Sequence, residues 1–189
     1  MRKAEILQAL EGVLEKKTFA AQDAAPATPA AVLAIIHYSN SKPHIVLTKR
    51  RENLKMHRGE ISFPGGRFTQ SDLTLMHTAL RETSEEIGLA FEPNDVVGAL
   101  QPVRTMTSNH FIVPFVTVQD RLSQLRVAEK EVAGVLDAPL VETLATMEPD
   151  KEHFRFSKTA VRFTFNSNVI WGATARILKQ LHEVLIRPS

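Results

Sequence analysis

The segment 73–88, LTLMHTALRETSEEIG, restricts the possible folds of this chain more than any other stretch. On an α-helix each residue turns by about 100°. With Glu82 set at zero, Glu86 falls at about 40° and Glu85 at about −60°, so three carboxylates share roughly 100° of arc. Met76, Leu80, Thr83 and Ile87 gather on the other side, at roughly 100–160°. A helix with two such faces, expected over residues 71–87 and ended by Gly88, needs a sheet on which to bury its apolar side.

Carboxylates packed this closely repel one another and weaken a bare helix. A solvated acidic face is the plain alternative, and Arg-Glu-x-x-Glu-Glu alone does not decide against it. The arrangement becomes favourable when a hard divalent cation sits among the oxygens, which are the ligands that Mg²⁺ and Mn²⁺ prefer. Arg81, one turn before Glu85, is placed to pair with that carboxylate and hold it in position. Just ahead of the helix stands FPGG, residues 63–66, a turn whose glycines let backbone approach a ligand closely.

Around this segment the pattern alternates. Residues 2–17 carry Ile6, Leu7, Leu10, Val13 and Leu14 at helical spacing, and AAQDAAPATPA over 20–30 reads as a short extended linker. The chain is therefore divided into an N-terminal helix and Ala/Pro linker, 1–29, and a main domain, 30–189, with the helix expected to pack on that domain. AAVLAIIHY and HIVLTKR flank the turn-like SNSKP and predict a hairpin. Further β-type runs are DVVGAL, HFIVPFVTV, EVAGVL, HFRFS and AVRFTF, and WGATARILKQLHEVL closes the chain as a helix. The expected class is α/β (α+β), a mixed sheet sandwiched between helices, rather than a bundle or a Rossmann fold.

Composition excludes several chemistries. Without cysteine there is no disulfide, thiolate zinc site or cysteine nucleophile. No Ser–His–Asp or lysine Schiff-base arrangement is legible. Lys plus Arg (23) nearly balance Asp plus Glu (21), which speaks against a nucleic-acid-coating protein. A sequence pI of about 9.0 leaves room for a local basic patch suited to a small anion. No apolar run reaches the roughly 18–20 residues of a membrane helix, and the N-terminus lacks a signal-peptide pattern. A cytoplasmic location without membrane association is the expectation.

The order of glycine turn, helix and carboxylate cluster resembles the signature of the Nudix hydrolase family. That pattern is Gly, five residues, Glu, seven residues, Arg-Glu-U-x-Glu-Glu-x-Gly-U, with U aliphatic. Residues 81–89, RETSEEIGL, match every charged position and the glycine, with Thr83 at an aliphatic position. In the first half, Leu73 falls where the isolated Glu belongs and Arg67 where the Gly belongs. A one-residue insertion after Gly66 restores the glycine and brings Asp72 near the acidic position. Asp72 then either substitutes in part for the Glu or favours the helix N-terminus through the dipole.

Residues 46–66, VLTKRRENLKMHRGEISFPGG, further resemble the extra signature of the coenzyme A pyrophosphatase branch. Leu47, Thr48, Arg50, Gly59, Phe63, Pro64, Gly65 and Gly66 match; Val46, Arg51 and Lys55 depart. Lys55 keeps the charge of the pattern's arginine but lacks its fork. NVIWGATARIL, 168–178, is similar to the start of that branch's C-terminal helix.

The resemblance implies a Nudix fold and metal-dependent hydrolysis of a pyrophosphate bond. The substrate it implies is coenzyme A or a derivative, cut to 3′,5′-ADP and 4′-phosphopantetheine. It places Mg²⁺ or Mn²⁺ on Glu82 and Glu86, with Glu85 as third ligand or base and the Gly66 carbonyl a candidate to complete the shell. Arg81 is expected to orient Glu85. Arg50, Lys55, Gly65 and Gly66 are the expected substrate contacts, and His57 leans towards structural support over phosphate or substrate binding. Glu131 is either a further candidate base or, the reading favoured for it, a salt-bridged surface residue. The expected partner is a small coenzyme A-like nucleotide; a homodimer is left open. The alternatives are another nucleotide substrate (ADP-ribose, a dinucleotide or a nucleoside triphosphate) and a non-catalytic nucleotide-sensing module on the same fold.

Overall fold

The computed structural model describes residues 1–16, 19–52, 59–105, 108–152 and 159–186. Four α-helices are present among them: α1 (Lys3–Glu11), α2 (Leu75–Ile87), α3 (Leu140–Leu144) and α4 (Gly172–Leu185). The strands are β1 (Thr28–Ser39), β2 (Lys42–Arg50), β3 (Ile61–Ser62), β4 (Gly65–Arg67), β5 (Val96–Ala99), β6 (Val103–Arg104), β7 (His110–Val118), β8 (Val132–Pro139), β9 (Glu148–Pro149), β10 (Val161–Phe165) and β11 (Asn168–Ile170).

One sheet runs β3-β2-β1-β7-β5, with β4 added to β1, β6 to β7 and β8 to β2; β9, β10 and β11 form a smaller sheet. The β1–β7 pair is parallel and the other pairs of the large sheet are antiparallel, so the sheet is mixed, as expected. β1 is apolar at consecutive positions because it is covered on both sides. Ala31, Leu33 and Ile35 pack into the core under α2, while Ala34 and Ile36 join the core that holds Leu178 and Leu181 of α4. β2 alternates likewise, Val46 to one side and Ile45 and Leu47 to the other. The β1–β2 hairpin turns at Asn40 and Ser41, whose φ of 50° and 62° match a tight two-residue turn.

Three boundaries differ from the sequence expectations. α1 stops at Glu11, because Gly12 caps it and the backbone of Glu15 hydrogen-bonds in both directions to Ala99 at the edge of β5. The 20–30 segment is not simply extended: Ala21–Ala24 form a 3₁₀ turn with Ala24 fully buried, and β1 begins at Thr28. α2 begins at Leu75 rather than residue 71. Thr74 is its cap, accepting from the His77 amide at 3.3 Å, and Asp72 is engaged elsewhere. No helix among the described residues is long and apolar enough to cross a membrane. The HFRFS run, 153–157, lies outside the described residues.

α1 contributes Ile6 and Leu10, both without solvent exposure, to the core shared with α4. Leu10→Ala is therefore expected to lower unfolding free energy by roughly 2–4 kcal/mol. Urea melts should show a lower midpoint at unchanged slope. A loss under about 0.5 kcal/mol would mean that α1 adds nothing to the fold.

Candidate active site

The glycine turn is set by its contact with β1. Gly66 pairs with Ala31 and Gly65 with Val32, and the Leu33 amide donates to the Pro64 carbonyl at 2.9 Å. Gly65 has φ +148°, and a Cβ there would run into the Ala31 carbonyl and the Val32 backbone. Only glycine fits. At Gly66 the obstacle is α2 itself, since a Cβ would sit 2.6 Å from both Glu82 carboxylate oxygens. The missing side chain of Gly66 is the space that the Glu82 carboxylate occupies.

Glu86 reaches the same turn and accepts a hydrogen bond from the Gly65 amide at 3.1 Å. It is 5% exposed. Burial pushes its carboxyl up to about 7, against the opposing pull of the Gly65 amide and the Arg50 charge. Burial likewise raises Glu82, more than the Arg81 guanidinium beside it lowers it. Two desolvated carboxylates against a glycine backbone form an electrostatic deficit that a divalent cation would relieve. Their hard oxygens fit Mg²⁺ or Mn²⁺.

Arg81 distributes the acidic groups. Its Nε and Nη2 donate to the two oxygens of Asp72 at 2.8 and 3.0 Å, a bidentate pair. Nη1 donates to Glu82 Oε1 at 2.9 Å and to Glu85 Oε2 at 3.0 Å, and Nη2 also meets the Arg67 carbonyl at 3.3 Å. The orienting role expected of Arg81 thus extends to Glu82. Asp72 is buried and also accepts from the Thr69 amide at 3.0 Å and the Thr78 hydroxyl at 2.9 Å. The Arg81 guanidinium holds its carboxyl far below the ordinary aspartate range. Asp72 thus anchors the arginine. Thr83, at the aliphatic position, enters the core because its hydroxyl donates to the Ala79 carbonyl at 2.7 Å.

The helical arc of three carboxylates is consequently split. Glu82 and Glu86 line a cleft of about 1300 Å³, while Glu85, whose side chain is 58% exposed, is held at the rim by Arg81 and does not line it. Arg50, Gly65, Gly66 and Glu131 line the same cleft. The Arg50 Nε is buried without a hydrogen-bond partner, an orphan donor that a phosphate oxygen would satisfy. Lys49, part of the same basic run, instead donates to Asn168 Oδ1 at 3.1 Å. Lys55, His57 and Arg58 lie outside the described residues.

Sequence reasoning missed three further residues of the lining. Arg176 and Lys179 of α4 and His110 of β7 line the cleft. The three-residue spacing of Arg176 and Lys179 places both on one helical face, the one signal available. A cleft at or above the usual 300–1,000 Å³ of ligand pockets has room for a substrate much larger than pyrophosphate.

Residues 27–158 match the NUDIX domain family. The chain is 34% identical over 143 residues to an uncharacterized Nudix hydrolase, NudL, of Cronobacter sakazakii, covering 74% of each chain. It is 34% identical over 166 residues to the mitochondrial coenzyme A diphosphatase NUDT8 of Mus musculus, covering 85% of this chain and 79% of that one. The fold is similar to the NUDIX domain of Shewanella oneidensis NrtR, solved with ADP ribose, with TM-score 0.60 and 14% identity over 87% of this chain and 92% of that one. It is also similar to a MutT/nudix family protein of Enterococcus faecalis, with TM-score 0.62 and 11% identity over 97% and 69% of the chains.

Asp72→Asn should cost roughly 2–3 kcal/mol of stability near neutral pH, because it removes the charge from a largely buried bidentate pair. The folded carboxyl titrates below its unfolded value of about 3.8. The contribution is therefore complete above that value and is lost as pH falls toward the folded one. The gap between wild type and Asp72→Asn should stay level from about pH 7 to 5 and close below about pH 4. Denaturant melts across that range decide it; a gap independent of pH would mean the pair carries no charge-dependent stability.

Proposed function

The chain belongs to the Nudix hydrolase family, and from that premise we propose that it hydrolyses the pyrophosphate of coenzyme A or a close derivative to 3′,5′-ADP and 4′-phosphopantetheine. The observation that carries this reading is the convergence of two sequence blocks on one cleft. Arg50, Gly65 and Gly66 of the 46–66 block line the same cleft as Glu82 and Glu86 of the helix. The similarity to the mouse mitochondrial coenzyme A diphosphatase supports the substrate class. The cations Arg176 and Lys179 of α4, which also line the cleft, supply charge for phosphates beyond the scissile pair.

Glu82 and Glu86 hold Mg²⁺ or Mn²⁺ in this reading. When bound, the ion neutralises charge on the phosphoryl oxygens and lowers the pKa of the attacking water. Arg50 donates its free Nε to a non-bridging phosphate oxygen and so positions the pyrophosphate over the glycine turn. Water oxygen forms a bond to one phosphorus while the bond from that phosphorus to the bridging oxygen breaks, and the leaving phosphate keeps the electron pair. The water proton passes to Glu131, which lines the cleft close enough to Glu82 and Glu86 to raise both their carboxyls. Arg81 and Glu85 act indirectly, by fixing Glu82. Lys55 is retained as a second phosphate cation.

Hydrolysis should vanish in EDTA and return with Mg²⁺ or Mn²⁺. Glu86→Gln should lower kcat by orders of magnitude while leaving the fold intact, since it replaces a hard anionic ligand with a neutral isostere. Glu131→Gln should lower kcat by about 10²–10⁴-fold with little change in KM. In a substrate panel read by product mass, kcat/KM should be higher for coenzyme A than for ADP-ribose or dinucleoside polyphosphates. Arg50→Ala should cost roughly 1.5–3 kcal/mol in kcat/KM. A chain that cleaves ADP-ribose well and ignores coenzyme A would overturn the substrate assignment.

A further inference from the structure

A second group of ligating side chains stands at the far end of the sheet from the cleft. His37 of β1 and His44 of β2 are direct cross-strand partners. Asp137 of β8 pairs with Val46, two residues along β2 from His44. Residues two apart on a strand share a face, so all three side chains project to one side, that of Leu33, Ile35 and Val46 under α2. His37 Nε2 lies 2.8 Å and His44 Nδ1 3.1 Å from the same oxygen, Oδ1, of Asp137. Among the described residues, this is the set of three His, Asp or Glu side chains whose ligand atoms all lie within 4.8 Å of one another. The histidine side chains are 8% and 16% exposed, and that of Asp137 is 47% exposed, so the cluster is walled by protein and open on one side.

We propose that His37, His44 and Asp137 form a binding site for one divalent transition-metal ion of the zinc class, with water at the open position. Two imidazole nitrogens and one carboxylate oxygen are a donor set for such ions, whereas Mg²⁺ demands near-octahedral oxygen. Bonds of about 2.0–2.1 Å in tetrahedral geometry place ligand atoms about 3.3 Å apart. The observed 2.8 and 3.1 Å need to widen only by tenths of an ångström. In the metal-free form each nitrogen facing Asp137 must carry its proton to make these hydrogen bonds. On binding, that proton moves to the ring's other nitrogen or to solvent, and the lone pair turns to the ion.

The site is separate from the one in the cleft. Ala31 is the register partner of Gly66, and His37 lies six residues further along β1, about 20 Å at 3.3 Å per residue. Because β1, β2 and β8 are adjacent strands, an ion here would tie three strands together at one point.

The test uses the full chain carrying Glu82→Gln and Glu86→Gln, which removes the two helix carboxylates of the cleft as competitors, after EDTA stripping. Calorimetric titration with Zn²⁺ at neutral pH should give one equivalent, and Co²⁺ should develop visible absorption bands of a nitrogen-ligated ion. Zn²⁺ should raise Tm, whereas Mg²⁺ should not. His44→Ala should abolish the equivalent, and Asp137→Asn, a half-exposed position that keeps the fold, should weaken it at least tenfold. Two results would overturn the proposal. One is no Zn²⁺ binding up to about 0.1 mM free metal, which leaves only a hydrogen-bonded cluster. The other is undiminished binding in both variants, which places the ion on other histidines.

Discussion

The cleft end of the molecule depends on one guanidinium. Arg81 sends one edge of its fork to Asp72 and the other to Glu82 and Glu85. The planar group is always charged and its donors are fixed in direction, so the carboxylates around it cannot move independently. Asp72 is tied in turn to the Thr69 amide and the Thr78 hydroxyl, which joins the loop ahead of α2 to the helix. A lysine at 81 would supply the charge without the geometry.

This explains why two carboxylates enter the cleft and a third stays at its edge. A bare acidic helix spreads its charge evenly, and the repulsion has no preferred outcome. With Arg81 between Glu82 and Glu85, that repulsion is neutralised on one side only. Glu86 is left desolvated with just the Gly65 amide and the Arg50 field as compensation. The excess negative potential is thereby focused on the glycine turn, where Glu82 fills the volume a side chain at 66 would have taken.

Much of this was legible in sequence, and what was not has an identifiable cause. Helical periodicity located the acidic face of α2, and the FPGG run pointed to the close backbone approach. The strands β1, β2 and β7 stood out because burial on both faces gives continuous apolar runs. The partnership of Asp72 with Arg81 spans nine residues and a change from loop to helix, so no fixed periodicity announces it. The Arg81–Glu85 pair was legible from its one-turn spacing, whereas the second bond from the same nitrogen to Glu82, the adjacent residue, follows no helical rule. The contributions of α4 to the cleft and of β8 to His37 and His44 are tertiary juxtapositions, invisible to any local pattern.

β1 serves as a common ruler for both ends of the molecule. It is hydrogen-bonded to β2, β4 and β7, and its register with Gly66 at one end and His44 at the other is set by the same uninterrupted strand. Side chains alternate with a period of two, so one residue inserted between Ala31 and His37 would turn everything beyond it to the opposite face. The hairpin would have to choose between keeping the glycine turn and keeping the histidine pair. Length in this strand is therefore under far tighter constraint than residue identity, and family members should accept exchanges among small apolar residues there while refusing insertions or deletions.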